Sequence, residues 1–163
     1  MFDDDYRIKG IHATKAKFLS KDKVNDGEKG ANVFERLMDV YMIAPIVGMV
    51  YGNIAEIDTE SSDTANIMAS VMIKEQRKLK YIYRLIMLCD EKSNLTNEEK
   101  INRAFRDDTD PQALEKNMNI FHSYMRGGID VLYDKFTEDC TTKDDYLNAI
   151  YEFVCENKRE LDM

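Results

Sequence analysis

The chain has 163 residues and a mass of 19.0 kDa, enough for one domain with a sizeable core but short for two. Hydrophobic residues make up 44% and charged residues 33%, with only 7 glycines and 2 prolines, so the composition argues against disorder and against a turn-rich β-sandwich, and favours helix. The formal net charge of -8 opposes a broad footprint on nucleic acid or on an anionic membrane.

Residues 1–30 are predicted to form a short N-terminal arm with one short helix, packed on or extending from a helical domain of residues 31–163. Tyr6 and Ile8 alternate with charged residues, which suits a brief strand or an extended arm. A short helix is predicted from Ile11 to Leu19, and a loop from Lys21 to Gly30. The arm is locally basic, so contact with nucleic acid is expected only there, although a solvated surface explains the same charges. The bases concerned are Arg7, Lys9, Lys15 and Lys17.

An apolar helix is predicted from Ala31 to Tyr51, with a kink or restart at Pro45, whose ring removes one backbone donor. The apolar run inside it has too few residues to span a bilayer, so no membrane segment is expected. Ala44, Gly48 and Gly52 recur at every fourth position and leave a stripe without bulky side chains. We expect this stripe to mark a close helix crossing, inside the chain rather than at a dimer seam.

The longest predicted helix runs from Thr64 to Asp90 and is expected to be the centre of the fold. Its apolar seam includes Met68 and Met72, which join the small-residue stripe in the predicted helix-packing interface. Glu75 interrupts the seam. A buried, unpaired carboxylate there would have a raised pKa and could act as an acid or base, whereas a carboxylate paired with a neighbouring base would only hold helices together.

Helix-start signals mark three further helices in the C-terminal half. Thr96 with Glu99 is a capping box, and Asp110 before a proline is an N-cap. Thr142 with Asp145 begins the last helix by the same pattern as Thr96 with Glu99.

Two adjacent glycines, Gly127 and Gly128, predict a break or bend in the helix that follows Asp110. If a helix restarted at Ile129, the glycine amides would point at its positive end and Arg126 could complete an anion site. A bend that lets two helices cross closely explains the same glycines.

Metal and nucleophile motifs are not found in the sequence. The two histidines lack the Glu-x-x-His spacing of di-iron bundles, and the acidic run around Asp110 lacks the glycine and the closing glutamate of a calcium loop. The three cysteines show no paired spacing, which is typical of a reducing cytoplasm. We therefore expect no metal, no cofactor and no catalytic set.

The sequence thus predicts an all-α, single-domain cytoplasmic protein of five or six helices around a long central helix. Its expected function is that of a non-catalytic interaction or accessory subunit, assembling through apolar helix faces with itself or with a partner protein. Two alternatives stay open: an acidic inhibitor that mimics nucleic acid on a basic protein, and a ligand-binding protein or enzyme that uses Glu75 or the bend at Arg126 to Gly128. Two acidic blocks support the mimic, one around Asp58 and Asp63 and one around Asp110.

Overall fold

The computed structural model describes residues 1–21, 33–138 and 140–161. These residues form six α-helices and one two-stranded antiparallel sheet, which confirms the all-α prediction. Residues 22–30 of the predicted loop, and Ala31 at the predicted start of the second helix, lie outside the described residues. The elements in chain order are β1 (Tyr6–Lys9), α1 (Ile11–Leu19), α2 (Leu37–Val50), β2 (Thr64–Ile67), α3 (Ala69–Cys89), α4 (Asn97–Phe105), α5 (Pro111–Thr137) and α6 (Lys143–Leu161), with a 3-10 turn at Asp107–Thr109.

The two strands connect the N-terminal segment to the start of α3. Tyr6 lies opposite Ile67 and Lys9 lies opposite Thr64 in an antiparallel register. Residues 64–67 alternate between exposed and buried, as expected for a strand with one face on the core. The prediction of a helix beginning at Thr64 is therefore wrong, because these residues pair with β1 and α3 begins only at Ala69.

Helix α2 runs without interruption from Leu37 to Val50. The predicted restart at Pro45 is wrong, because the helix continues through that residue and Pro45 is buried with the apolar face. The residues from Val33 to Arg36 precede the helix, so it also begins later than the sequence pattern indicates.

The backbones of α2 and α5 meet at glycines. A Cβ atom added to Gly128 would lie 1.7 Å from the carbonyl oxygen of Ala44, and one added to Gly48 would lie 2.0 Å from that of Tyr124. The predicted break at Gly127 and Gly128 is wrong, because α5 is continuous from Pro111 to Thr137. The close helix crossing, which was the other explanation of these glycines, is present. We attribute the unbroken helix to this close packing, which offsets the roughly 0.8–1.0 kcal/mol that each glycine costs a helix interior.

The long central helix is α5, and not the segment from Thr64 to Asp90. It contacts α1, α2, α3 and α6, and its side chains Phe121, Met125, Ile129 and Leu132 are fully buried. Helix α3 buries one face against this core and exposes the other. The centre of the fold therefore lies where α2 and α5 cross.

The predicted helix starts in the C-terminal half are confirmed. Thr96 and Glu99 exchange backbone-to-side-chain hydrogen bonds of 2.8 and 3.3 Å at the start of α4. The Asp110 carboxylate accepts a backbone hydrogen bond at the start of α5. Thr142 and Asp145 repeat the reciprocal arrangement before α6, at 2.6 and 3.3 Å.

Candidate interaction surfaces

Helix α6 carries an exposed apolar stripe formed by Leu147, Tyr151 and Val154, here called the α6 stripe. The exposed fractions of these residues are 55%, 70% and 57%. Their spacing of four and three residues places them on one helix face. Single exposed apolar residues are ordinary on protein surfaces, but three on one face form a continuous ridge.

The neighbouring face of α6 holds the helix on the rest of the protein. Phe153 packs edge-on against Phe136 of α5, with ring centroids 5.6 Å apart, and its ring lies nearly parallel to Tyr51 at 6.3 Å. An ion pair between Lys135 and Glu156, 3.2 Å long, adds to the contact. Because α6 packs on the protein through this neighbouring face, the α6 stripe faces outward and is available to another molecule. An amphipathic helix of this kind can lie in an apolar groove of a partner.

Glu75 is paired rather than free. It is 7% exposed, and its carboxylate accepts hydrogen bonds from Lys78 at 2.7 Å and from Arg36 at 3.3 Å. These two bonds, with that from Lys78 the stronger, lower the pKa of Glu75 despite the opposing effect of burial. The carboxylate is therefore ionised at neutral pH and ties α3 to the start of α2. A general acid would need the opposite shift in pKa.

Arg126, Gly127 and Gly128 lie inside α5, against a segment of the same chain. Arg126 donates from Nε to the carbonyl oxygen of Ala55 at 2.8 Å, and Asn53 donates from Nδ2 to the carbonyl oxygen of Gly127 at 3.1 Å. The predicted anion site required a helix beginning at Ile129, which α5 does not provide. The chain itself uses the Arg126 guanidinium, and the amides of Gly127 and Gly128 lie inside a continuous helix rather than at a helix start.

A buried aromatic cluster surrounds His122 in the middle of α5. Its Nε2 is hydrogen-bonded to the Tyr41 hydroxyl at 2.9 Å, and its ring stacks on Tyr6 at 4.2 Å. Burial, followed by the positive charge of Arg126, lowers the pKa of His122 to about 3. The imidazole is therefore neutral near pH 7 and poorly matched to general acid–base catalysis there. A cavity of about 320 Å³ borders it, between the N-terminal residues and α5.

Two of the four basic residues predicted to contact nucleic acid in the N-terminal segment are paired with acids of the same chain. Lys15 contacts Asp130 at 2.7 Å, and Lys17 pairs with Asp63. Arg7 donates to an asparagine side chain of β2, and Lys9 is exposed. These four side chains do not form one open basic surface.

The same contacts weaken the nucleic-acid-mimic interpretation. Asp58 accepts a hydrogen bond from the backbone N–H of Ile11 at 2.7 Å, and Asp63 binds both Thr14 and Lys17. Backbone hydrogen bonds lower the pKa of Asp58, and side-chain hydrogen bonds, that of Lys17 first, lower the pKa of Asp63. Part of the first acidic block therefore serves to hold α1.

Within the part of the chain that the structure describes, three or more His, Cys, Asp or Glu side chains are nowhere grouped so as to hold a metal ion. Among the same residues, every helix is too short or too polar to cross a bilayer.

One family model matches residues 11–162, a range that begins with α1 and takes in the whole of α6. Its description is DNA sulphur modification system-associated protein 4. The chain belongs to this family. Comparisons with curated proteins and with solved structures found no match. Membership associates the chain with the DNA sulphur modification system, and the matched range contains both the α2–α5 crossing and the α6 stripe.

In this member of the DNA sulphur modification system-associated protein 4 family, the predicted helix-packing residues do not share one surface. Ala44 and Gly48 lie in the internal crossing with α5, and Met72 is buried in the core. Gly52 lies beyond the end of α2 with a φ of 61°, and Met68 precedes α3 and is 63% exposed. The helical spacing that related these residues is interrupted by the turn after α2 and by β2.

The α6 stripe is the feature of this family member that the sequence analysis missed. In the sequence alone, Leu147 and Val154 belong with Tyr146, Ile150 and Phe153 to one apolar set at helical spacing. The available signal was the width of that set, because apolar residues occupy two adjacent faces of a helix that lies at the edge of the bundle. Only the fold determines which face α5 covers.

Proposed function

We propose that the protein is a non-catalytic accessory subunit of the DNA sulphur modification system, and that it binds another protein of that system through the α6 stripe. The observation that carries the proposal is the stripe itself, with three large apolar side chains more than half exposed on one face of a helix whose other face is packed. The family description, which names an association with a system, supports a protein as the occupant.

The non-catalytic part of the proposal is supported by the two groups best placed to act in acid–base chemistry. Glu75 is held ionised by two bases, and the pKa of His122 lies far below neutrality. Neither group can exchange a proton efficiently near pH 7.

The energy available from the α6 stripe suits a specific complex. Fully burying a large apolar side chain contributes about 1.5–3 kcal/mol, so the partly exposed members have about 1–2 kcal/mol each to gain. Removing all three should cost about 3–6 kcal/mol of binding free energy, which is a loss of affinity of about 100-fold or more. This range is large enough to measure with purified components.

The test is a binding titration with the individually purified proteins of the same DNA sulphur modification system. The variant L147S/Y151S/V154S should bind its partner at least about 100-fold more weakly than the unmodified chain. The matched control is I11S/I43S/I57S, which removes three exposed apolar side chains from other elements. The control should bind with unchanged affinity, and far-ultraviolet circular dichroism should show both variants folded.

Two results would contradict the proposal. One is equal affinity of the α6 variant and the unmodified chain for every protein of the system. The other is a stripe-dependent dimer, detected by light scattering, that persists when those proteins are added, since a second copy of this chain would then occupy the stripe.

A further inference from the structure

The outer face of α3 concentrates positive charge in an acidic protein. Helix α3 contains five bases and one acid, whereas the whole chain has a net charge of -8. Four of the bases recur at intervals of three, three and four residues, which places them on one side of the helix. With the aromatic residue between them they form what is here called the α3 basic face: Lys74, Arg77, Lys80, Tyr81 and Arg84.

The four bases of this face differ in availability, since Lys80 is half-buried and, after the N-terminal amino group, its charge contributes to lowering the pKa of Asp3. In the described parts of the chain, neither Lys74 nor Arg77 takes part in an ion pair, and both are exposed. The Arg84 guanidinium lies 5.1 Å from the ring centre of Phe105, a contact that retains its charge. The helix's acid, Glu75, is buried and already bound to Lys78 and Arg36, so it does not neutralise the outer face.

Tyr81 adds an apolar surface between the bases. It is 72% exposed, and it follows Arg77 by one turn and precedes Arg84 by another. Aromatic side chains interleaved with Arg and Lys are typical of surfaces that track nucleic-acid backbones and contact bases or sugars.

The dimensions of the face match a phosphate backbone. Ten residues separate Lys74 from Arg84, which corresponds to about 15 Å along the helix axis. One strand of duplex DNA carries about four phosphates over that axial length. We propose that the α3 basic face binds DNA through the phosphates of its backbone. This inference is independent of the proposed function, because the α6 stripe belongs to a different helix and contains no base.

The proposal predicts a strong dependence on salt. Neutralising three or four phosphates should make the association constant fall on the order of 100-fold between about 50 and 200 mM salt. The chain's overall negative charge adds repulsion, so binding should be detectable mainly at low salt.

The test is fluorescence anisotropy of a labelled DNA duplex about two helical turns long, titrated with the full chain at several salt concentrations. The variant K74A/R77A/R84A should lose most of the binding, and the slope of log affinity against log salt should become shallower by about 3. The matched control is K92A/K116A/K158A, which removes three exposed bases outside α3 and outside the N-terminal segment and reaches the same net charge. The control should keep nearly the full affinity and slope.

Further measurements distinguish binding to the phosphate backbone from stacking on bases and from binding to an acidic protein. A single strand of the same length should also bind through its phosphates, and Tyr81→Ala should weaken that complex more than the duplex complex if the ring stacks on bases. The proposal is overturned if the unmodified chain does not bind DNA at low salt, or if both triple variants lose affinity equally. It is also overturned if K74A/R77A/R84A binds DNA normally but no longer binds a protein of the system, because the face would then serve an acidic protein. A urea unfolding curve for each variant excludes loss of the fold as the cause.

Discussion

Replacing Gly128 with alanine tests whether backbone contact between α2 and α5 organises this fold. The new Cβ atom would lie 1.7 Å from the carbonyl oxygen of Ala44 and 2.8 Å from the backbone nitrogen of Gly48, whereas ordinary contacts begin at 3.4 Å. Both clashing atoms belong to the backbone of α2, so a change of side-chain rotamer cannot relieve the clash. The two helices would have to separate locally by about 1–2 Å, and the side chains packed around the crossing would lose contact.

The change in the free energy of unfolding is the difference between a gain in helix propensity and a loss from overpacking. Alanine favours the helix over glycine by about 1 kcal/mol. Overpacking a core costs about 1–3 kcal/mol, and a backbone obstacle places this site at the upper end or beyond it. We therefore expect Gly128→Ala to lower the free energy of unfolding by about 2 kcal/mol or more.

The measurement is urea unfolding followed by circular dichroism, with Asn119→Ala as the control. Asn119 is exposed on the same helix, so its replacement should leave stability unchanged or raise it by a few tenths of a kcal/mol. The double variant G48A/G128A should lose less than the sum of the single losses, because one separation of the helices relieves both contacts. A Gly128→Ala protein as stable as the unmodified chain would refute the role assigned to the crossing.

Three further predictions concern stability. The pKa of His122 is lowered from 6.5 to about 3, so the unfolded chain takes up a proton first and stability falls as pH decreases through this window. The loss should reach about 3 kcal/mol near pH 4.5, and a His122→Gln variant with an equal loss would contradict the assignment. Asp90→Asn should cost about 3 kcal/mol in urea unfolding, because it leaves the buried Arg103, now 2.9 Å from the carboxylate, without a counterion, and an unchanged midpoint would refute this. Asp110→Ala should cost about 1 kcal/mol through loss of the N-cap of α5, whereas Asp110→Asn should be nearly neutral, and equal losses in the two would indicate another cause.

Local signals in the sequence were sufficient wherever a helix start or end depends on neighbouring residues. The capping pairs at Thr96 and Thr142 and the Asp110 N-cap act within three or four positions, and each marks a real helix start. The helix from Ile11 to Leu19 has the predicted bounds as well. At these helix starts, the capping residues that can be recognised in the sequence also form the hydrogen bonds that begin the helix.

The errors arose where a distant part of the chain decides the structure. Residues 64–67 continue the apolar spacing of α3, but the backbone groups of β1, almost sixty residues earlier, draw them into a strand. The pair Gly127 and Gly128 is compatible in the sequence with either a helix break or a close crossing, and only the contacts with α2 and the segment after it decide for the crossing. The α6 stripe is exposed because the neighbouring face of α6 packs on α5. The spacing of apolar residues in the sequence does not determine which of the two faces is covered.

The segment at Asn53 to Ala55 rests on α5 mainly through atoms that every residue possesses. A Cβ atom on Gly127 would meet the backbone of Asn53, and Ala55 both donates and accepts through its own main chain. The neighbouring side chains of Ile54 and Ile57 are exposed and contribute little to that attachment. Substitution can therefore alter the outward character of this segment at little structural cost, so that one scaffold could acquire new recognition properties while its architecture is inherited unchanged.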